Sequence, residues 1–225
     1  VVPTPDLKPE WSFGLEFGGY FRTKNNIELD FSSYVTYLYN SFIRDDYTLS
    51  NGVSEIIYDG ELSQIQALQN SSKSFIYGIE FGINMFLNKN FRMKSQHNLI
   101  AGYELDDLPF GMPVRHIPPN YGNFHFIYNN GDFTIDTYLK YNSKISFSKL
   151  AESERAKPYM YALDENGNPY SPSWMTFNVR SKYSFSKMLN INFNVENITN
   201  KLYRPYSSGI SAPGINFIFS FSYAY

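Results

Sequence analysis

The last segment of the chain alternates large apolar residues with small or polar ones. From residue 215 to residue 225 every second position is apolar or aromatic, and Asn216, Ser220, Ser222 and Ala224 fill most of the positions between. Successive side chains of a β-strand point to opposite faces, so one face of this segment is aromatic and the other is small or polar. This pattern is typical of a strand in a transmembrane β-barrel, with one face toward lipid and the other toward the lumen.

The same period of two recurs along most of the chain. It covers residues 11–22, 27–39, 75–85, 133–142, 175–185 and 189–196, and it is less regular at 91–105 and 121–128. Together with the last segment, these predict about nine antiparallel strands. Charged residues gather on the second face, which therefore needs water or polar partners and cannot be the lipid side.

Short and long connections alternate between the predicted strands. The short turns are residues 23–26, 88–90, 129–132 and 186–188, and the long loops are 43–74, 106–120, 148–173 and 200–213. Outer-membrane barrels have short periplasmic turns and long extracellular loops, so the short turns are predicted on the periplasmic side. Residues 164–169 read Asp-Glu-Asn-Gly-Asn-Pro, which predicts a tight turn at a hairpin tip.

Composition agrees with a barrel and argues against other classes. Aromatic residues make up 19% of the chain, yet the mean hydropathy is negative, and there is no apolar run long enough for a transmembrane helix. The net charge of −2 gives no support to nucleic-acid binding. The absence of Cys excludes disulfides and thiol chemistry. An odd number of strands would put the two ends of the chain on opposite sides, so further strands are expected before Val1.

Two segments resemble signature motifs of TonB-dependent outer-membrane receptors. One runs Asn-Ile-Thr-Asn-Lys-Leu-Tyr-Arg-Pro-Tyr at 197–206, followed by Ala-Pro-Gly-Ile-Asn-Phe at 212–217. The other is Pro-Asp-Leu-Lys-Pro-Glu at 5–10, where Thr4-Pro5 stands in place of the usual Asn-Pro. The signature residues are Leu7, Lys8, Pro9, Glu10, Asn197, Asn200, Tyr203, Pro213 and Gly214. The resemblance implies an all-β barrel of about 22 strands around a plug, with residues 1–225 as its C-terminal part and the plug and earlier strands outside this chain.

The resemblance also implies a function. Members of this family import a scarce nutrient across the outer membrane of Gram-negative bacteria, here a ferric siderophore, haem, cobalamin or a glycan. Expected partners are the remaining barrel and plug, the TonB complex, outer-membrane lipid, the nutrient and a surface lipoprotein, with no nucleic acid and no cofactor. The terminal strand resembles the membrane-insertion signal through Phe217, Phe219, Phe221, Tyr223 and Tyr225.

Candidate site residues fall into two groups. Ligand binding is expected on the long loops, where aromatic and cationic side chains provide contact area and hydrogen bonds: Tyr47, Tyr58, Arg115, His116, Arg155, Lys157, Tyr159 and Tyr161. Charged residues of the polar face are expected to face the plug: Glu28, Asp30, Glu80, Arg92, Asp136, Lys140, Arg180, Lys182 and Glu196. Tyr203 and Tyr206 are expected at the membrane interface.

No catalytic or metal-binding arrangement stands out. His97, His116 and His125 lack metal-ligand spacing, and there is no Ser-His-Asp set or phosphate-binding loop. The chain is therefore predicted not to be an enzyme. Two alternatives stay open, an outer-membrane barrel esterase or protease and a soluble β-sandwich adhesin. The enzyme would need a nucleophile and a histidine at the outer rim, and the adhesin would not need detergent.

Overall fold

A single antiparallel sheet dominates the computed structural model, which describes residues 1–4, 7–24, 26–70, 73–105, 111–224. Nine long strands pair in chain order. They are β1 (Trp11–Arg22), β2 (Ile27–Tyr39), β3 (Lys73–Phe86), β4 (Phe91–Glu104), β5 (Tyr121–Asn129), β6 (Phe133–Asn142), β7 (Trp174–Ser184), β8 (Leu189–Glu196) and β9 (Asn216–Tyr223). The predicted all-β fold of about nine strands is confirmed. The sheet is open, because β1 and β9 each pair on one side only.

The cross-strand register separates the two faces that the sequence predicts. Phe193 lies opposite Phe219 on one face, and Arg180 lies opposite Asp136 on the other. The apolar face is uncovered: the Phe219 side chain is 67% exposed. In the described part of the chain, every buried apolar residue except Tyr138 lies in a loop. A soluble sheet would cover so large an apolar face with a second layer, whereas hydrocarbon covers it in a membrane. Tyr225, the last residue of the predicted insertion signal, lies outside the described residues.

The irregular alternation in β4 and β5 has a structural cause. Ser95 and His97 point to the apolar face, where His97 hydrogen-bonds the Ser95 hydroxyl at 2.6 Å and the Tyr141 hydroxyl at 2.7 Å. The imidazole also stacks on Phe81 at 4.7 Å. Gly122 makes this possible, because a Cβ there would lie only 2.6 Å from the His97 ring. Both ring nitrogens have partners, so a histidine lies on this face without an unsatisfied polar atom.

The connections separate by length between the two ends of the sheet. The turn end carries the predicted short turns, with Asn26 and Gly131 in the left-handed region at φ 61° and 101°; Asn25 lies outside the described residues. The loop end carries loop A (residues 40–70), loop B (105 and 111–120), loop C (143–173) and loop D (197–215). None of the helices in the described part of the chain has the length and hydropathy of a membrane span.

Two of these loops are more ordered than their sequence pattern predicts. Loop A holds a ladder of Phe42–Asp46 with Gln66–Asn70 and a second of Glu55–Tyr58 with Glu61–Gln64. Loop C contains two short 3-10 turns, the helix α1 (Glu152–Arg155) and the hairpin Ala162–Leu163 with Pro169–Tyr170. The predicted tight turn lies at the tip of that hairpin, where the Asp164 carboxylate accepts the N–H groups of Asn166 and Asn168 at 2.9 and 2.8 Å.

Two adjacent positions on β9 test the assignment of the faces. Phe219→Arg puts a charge on the apolar face and is expected to lower the free energy of unfolding in lipid vesicles by about 2–4 kcal/mol. Ser220→Arg is the matched control, since Ser220 lies on the polar face beside Asn192. Urea titration of the full-length protein in vesicles measures both. Equal losses in the two variants would contradict the assignment.

Candidate functional site

The N-terminal signature fastens the base of loop A. The Lys8 N–H donates to Asn70 Oδ1 at 2.7 Å, and Asn70 Nδ2 donates to the carbonyls of Lys8 at 2.9 Å and Asn40 at 2.8 Å. The Glu10 carboxylate accepts the Phe42 N–H at 3.1 Å. These bonds satisfy backbone groups that the strands leave unpaired where the chain enters and leaves the loop. The signature therefore has a structural part in holding loop A.

The C-terminal signature shapes loop D in the same way. Asn197 and Asn200 have positive φ, at 50° and 49°. The Asn197 side chain bonds both the N–H and the carbonyl of Lys201 at 2.9 Å. The Asn200 amide oxygen accepts the Ile215 N–H at 3.0 Å, and any side chain at Gly214 would collide with that oxygen. Asparagine tolerates the left-handed region and bonds nearby backbone, which explains why it recurs here.

A buried carboxylate joins loops C and D. Glu154, in helix α1, is only 2% exposed. It accepts the hydroxyl of Tyr161 at 3.0 Å, the hydroxyl of Tyr206 at 2.8 and 2.7 Å, and the Ala151 N–H at 3.3 Å. Burying a carboxylate is costly without such donors, and hydrogen bonds to an ionised group are stronger than neutral ones. Glu154 with its three donors forms the contact called here the Glu154 latch.

The two tyrosines of the latch remain protonated at neutral pH. Burial, followed by the charge of Glu154, raises the pKa of Tyr161 to about 12. Burial and the hydrogen bond to Glu154 also raise the pKa of Tyr206 above its usual range. Both phenols are therefore available as donors across the whole physiological pH range.

Tyr203 and Tyr206 both have partners within the chain. Tyr206 turns to the Glu154 latch, and Tyr203 stacks on Trp174 with ring centroids 4.3 Å apart. The Trp174 side chain belongs to the polar face, so both tyrosines face the molecule's own residues. The expected position of the two tyrosines at the membrane interface remains a prediction.

Loop C contains four of the residues predicted to bind ligand. Arg155 donates to the carbonyls of Phe147 at 3.1 Å and Ser148 at 3.2 Å and lies over the Phe147 ring. Arg155 and Tyr161 thus hold the loop's own fold. Lys157 is half-buried, and Tyr159 is 76% exposed. Of these four, Tyr159 offers the most free surface to a ligand.

The other predicted ligand residues lie on loops A and B. Arg115 and His116 are exposed at a turn of loop B, with His116 at φ 64°. The positive charge of Arg115 reaches Tyr161, where it opposes the rise in the Tyr161 pKa, so loop B lies beside loop C. In loop A, Tyr47 is half-buried directly after the first ladder, and Tyr58 is exposed at the end of a strand of the second. Ligand binding at any of the eight positions remains a prediction.

The predicted plug-facing charges share the polar face. The register puts them there together: Glu28, Asp30, Glu80, Arg92, Asp136, Lys140, Arg180, Lys182 and Glu196. Several are paired within the wall, since Asp136 contacts His125 at 2.9 Å and Glu80 accepts an N–H of Asn98 at 2.6 Å. The described residues contain no group of three or more His, Cys, Asp or Glu arranged to hold a metal. Contact of these charges with a plug remains a prediction.

Sequence reasoning missed the residues that organise the loop end. Tyr206 meets Glu154 across 52 positions, and Arg204 donates to the carbonyl of Met160 across 44. A local pattern carries no signal of such pairs. The sequence shows Trp174 and Tyr203, but no local pattern predicts that their rings stack.

Comparison with known proteins agrees with this architecture. A family model described as TonB dependent receptor-like, beta-barrel matches residues 1–198. The fold resembles that of the copper transporter OprC, with a TM-score of 0.75 at 16% identity, over 98% of this chain and 32% of that one. It also resembles the FrpB iron transporter from Neisseria meningitidis, with a TM-score of 0.68 at 16% identity, over 96% and 32% of the two chains.

A third similar structure is a mutant of the ferric enterobactin receptor PfeA from Pseudomonas aeruginosa, with a TM-score of 0.68 at 15% identity, over 97% and 32% of the two chains. At these identities the likeness shows a shared fold. The chain spans about a third of the length of these proteins. Comparison of the sequence with curated proteins finds no match.

Removing one donor tests the Glu154 latch. Tyr206→Phe leaves the buried carboxylate short of a hydrogen bond, which costs about 1.5–3 kcal/mol for a charged group and should loosen loop C. We expect faster tryptic cleavage after Arg155 in the folded full-length protein, followed by mass spectrometry. Tyr159→Phe is the matched control, because Tyr159 is exposed on the same loop. Identical cleavage rates in both variants and in the wild type would rule out the latch.

Proposed function

This chain belongs to the TonB-dependent receptor-like β-barrel family, and we propose that it is the loop-bearing part of the wall of an outer-membrane nutrient importer. One observation carries the proposal: a nine-stranded sheet with an uncovered apolar face and a charged opposite face has all its long, ordered loops at one end. Hydrocarbon suits the first face, and a water-accessible or plug-filled lumen suits the second. The ordered loops then face the cell exterior.

The open sheet supports further strands in the same protein. β1 and β9 each present an unpaired edge. Unpaired backbone N–H and C=O groups are not tolerated in hydrocarbon, so the barrel must be closed by strands beyond those described here. We place these strands and a plug in the same polypeptide, upstream of this segment. Energy would reach the plug through TonB, and the charged polar face would contact it.

Membership of the family indicates a broad class of substrate, a scarce nutrient. The similar structures carry the names of a copper transporter, an iron transporter and a ferric enterobactin receptor. For this chain the candidates are a ferric siderophore, haem, cobalamin or a glycan, captured by loops A to D. The barrel wall is proposed to carry out no chemistry, since its polar residues pair with one another or support the loops. A surface lipoprotein is a further candidate partner.

The orientation can be tested with single cysteines, because the chain has none of its own. Glu165→Cys lies at the tip of the loop C hairpin and Lys187→Cys lies in a short turn, and both positions are exposed. In intact cells, a membrane-impermeant maleimide is expected to label the first and not the second. Both should react after the outer membrane is opened. Labelling of Lys187→Cys and not of Glu165→Cys in intact cells would show that the orientation is opposite to the one proposed.

Energised uptake tests the transport function. Cells that express the full-length protein are expected to accumulate one of four labelled nutrients, a ferric siderophore, haem, cobalamin or an oligosaccharide, above its external concentration. The accumulation should stop when TonB is deleted or the proton gradient is collapsed, because the outer membrane has no energy source of its own. A protein that lets the nutrient equilibrate equally well without TonB would contradict active import.

A further inference from the structure

Loops C and D line an open cavity of about 330 Å³ at the loop end of the sheet. Its lining includes Trp174, Leu202, Tyr203, Lys201 and Arg204, together with four serines. A volume of this size falls in the range of small-molecule sites. Of the residues that the sequence predicted for ligand contact, Tyr161 also lines this cavity.

The cavity lies on the path into the lumen. Trp174 is the first residue of β7, and its side chain shares the polar face with Thr176, Asn178 and Arg180. The cavity therefore borders the lumen side of the sheet at its loop end. It therefore lies where the polar face of the sheet meets the long loops.

One wall of the cavity is aromatic and apolar. Trp174 and Tyr203 stack with centroids 4.3 Å apart and an interplanar angle of 30°, which fixes both rings in place. Leu202, next to Tyr203, is 79% exposed although it is large and apolar. Rigid aromatic surfaces bind flat ring groups at a low cost in conformational entropy.

The other wall carries two cations without neutralising partners. Among the described residues, no carboxylate lies within 4.0 Å of Lys201 or Arg204. Arg204 Nη1 donates hydrogen bonds to the carbonyls of Met160 at 3.1 Å and Tyr159 at 3.4 Å. These bonds orient the guanidinium and do not neutralise its charge. The Glu154 carboxylate in the same loops has its oxygens occupied by the tyrosines of the latch.

The distribution of charge across the loop end favours binding of an anion at loop D. The described part of loop A carries one cation, Arg44, against five acidic residues: Asp45, Asp46, Glu55, Asp59 and Glu61. Loop D carries Lys201 and Arg204 and no acidic residue. An approaching anion is therefore repelled from loop A and attracted to the cavity.

We propose that this cavity is the first docking site of the imported substrate, and that the substrate presents an anionic, oxygen-rich ring group. The ring stacks beside Trp174 and Tyr203, the charge meets Lys201 and Arg204, and Ser171 and Ser207 donate hydrogen bonds to its oxygens. The inference rests on the proposed import function and deepens it. Two sources share this chemistry, a catecholate chelate of ferric iron and an acidic oligosaccharide.

Binding to the purified full-length protein in detergent tests the site without any energy source. The probes for titration calorimetry are the ferric complex of a synthetic tris-catecholate and trigalacturonate, each beside a neutral counterpart, a ferric tris-hydroxamate and maltotriose. We expect one anionic probe to bind more tightly than its neutral counterpart, and the probe that binds identifies the source. Lys201→Gln should weaken that binding about tenfold, the loss of one charge-assisted hydrogen bond, without changing the affinity for the neutral counterpart.

Further variants distinguish the loss of a contact in the cavity from a change in folding or in overall charge. Trp174→Ala should also weaken binding, and Trp174→Phe should restore most of it, because phenylalanine keeps a ring against Tyr203. Lys149→Gln removes a charge from an exposed position of loop C outside the cavity and should bind as the wild type does. Heat-modifiability on a gel confirms that each variant is folded.

Three results would overturn the inference. The first is equal affinity for the anionic and neutral probes. The second is unchanged affinity in both Lys201→Gln and Trp174→Ala. The third is a loss of affinity in Lys149→Gln as large as that in Lys201→Gln. TonB-dependent uptake in cells is measured separately. If uptake persists alongside any of these results, the cavity is rejected as the docking site, and the proposed transport function is unaffected. Loss of energised uptake with intact anion binding would reject the transport function instead.

Discussion

The cross-strand hydrogen-bond ladder is the constraint on which the rest of this structure depends. In hydrocarbon no water is present to satisfy a backbone N–H or C=O, so each group must be paired by a neighbouring strand. The nine strands meet this requirement in chain order, each antiparallel to the next, everywhere except at the outer edges of β1 and β9. Once pairing is fixed, the alternation of side chains puts one set against lipid and the other toward the lumen. The sheet needs no apolar core, which is why the buried apolar residues of the described chain lie almost entirely in its loops.

A polar side chain on the apolar face has hydrogen-bond partners close to it. His97 lies on the apolar face because Ser95 and Tyr141 bond its two nitrogens and Gly122 leaves the space for its ring. On the polar face, His125 and Asp136 form a pair, and Asn98 donates to Glu80. Part of the polar face is therefore satisfied within the wall, whereas the side-chain oxygens of Asn98, Asn123 and Asn194 are buried there with no hydrogen-bond partner in the described chain.

The loop end uses a different principle, in which single polar residues join segments distant in sequence. Asn70 closes the base of loop A, Asn197 and Asn200 shape loop D, and Glu154 joins loops C and D. These contacts fix the loops before any ligand arrives, so less conformational entropy is lost on binding. The result is a preformed cavity with an aromatic wall and two cations, Lys201 and Arg204, that have no carboxylate partner among the described residues.

The sequence alone determined the sheet. Period-two alternation predicted the strands and their faces, turn residues such as Asn129 and Gly131 predicted the short connections, and the two signatures identified the family. These features are local, because strand geometry forces adjacent side chains to opposite faces wherever the strand lies. Only the tertiary structure decided that Arg155 and Tyr161 support loop C, that Tyr203 packs on Trp174 and Tyr206 bonds Glu154, and that Trp174, Lys201 and Arg204 border one cavity. Those outcomes depend on contacts across tens of residues, such as Tyr206 with Glu154, and their energies come from desolvation and hydrogen-bond geometry that no local pattern encodes.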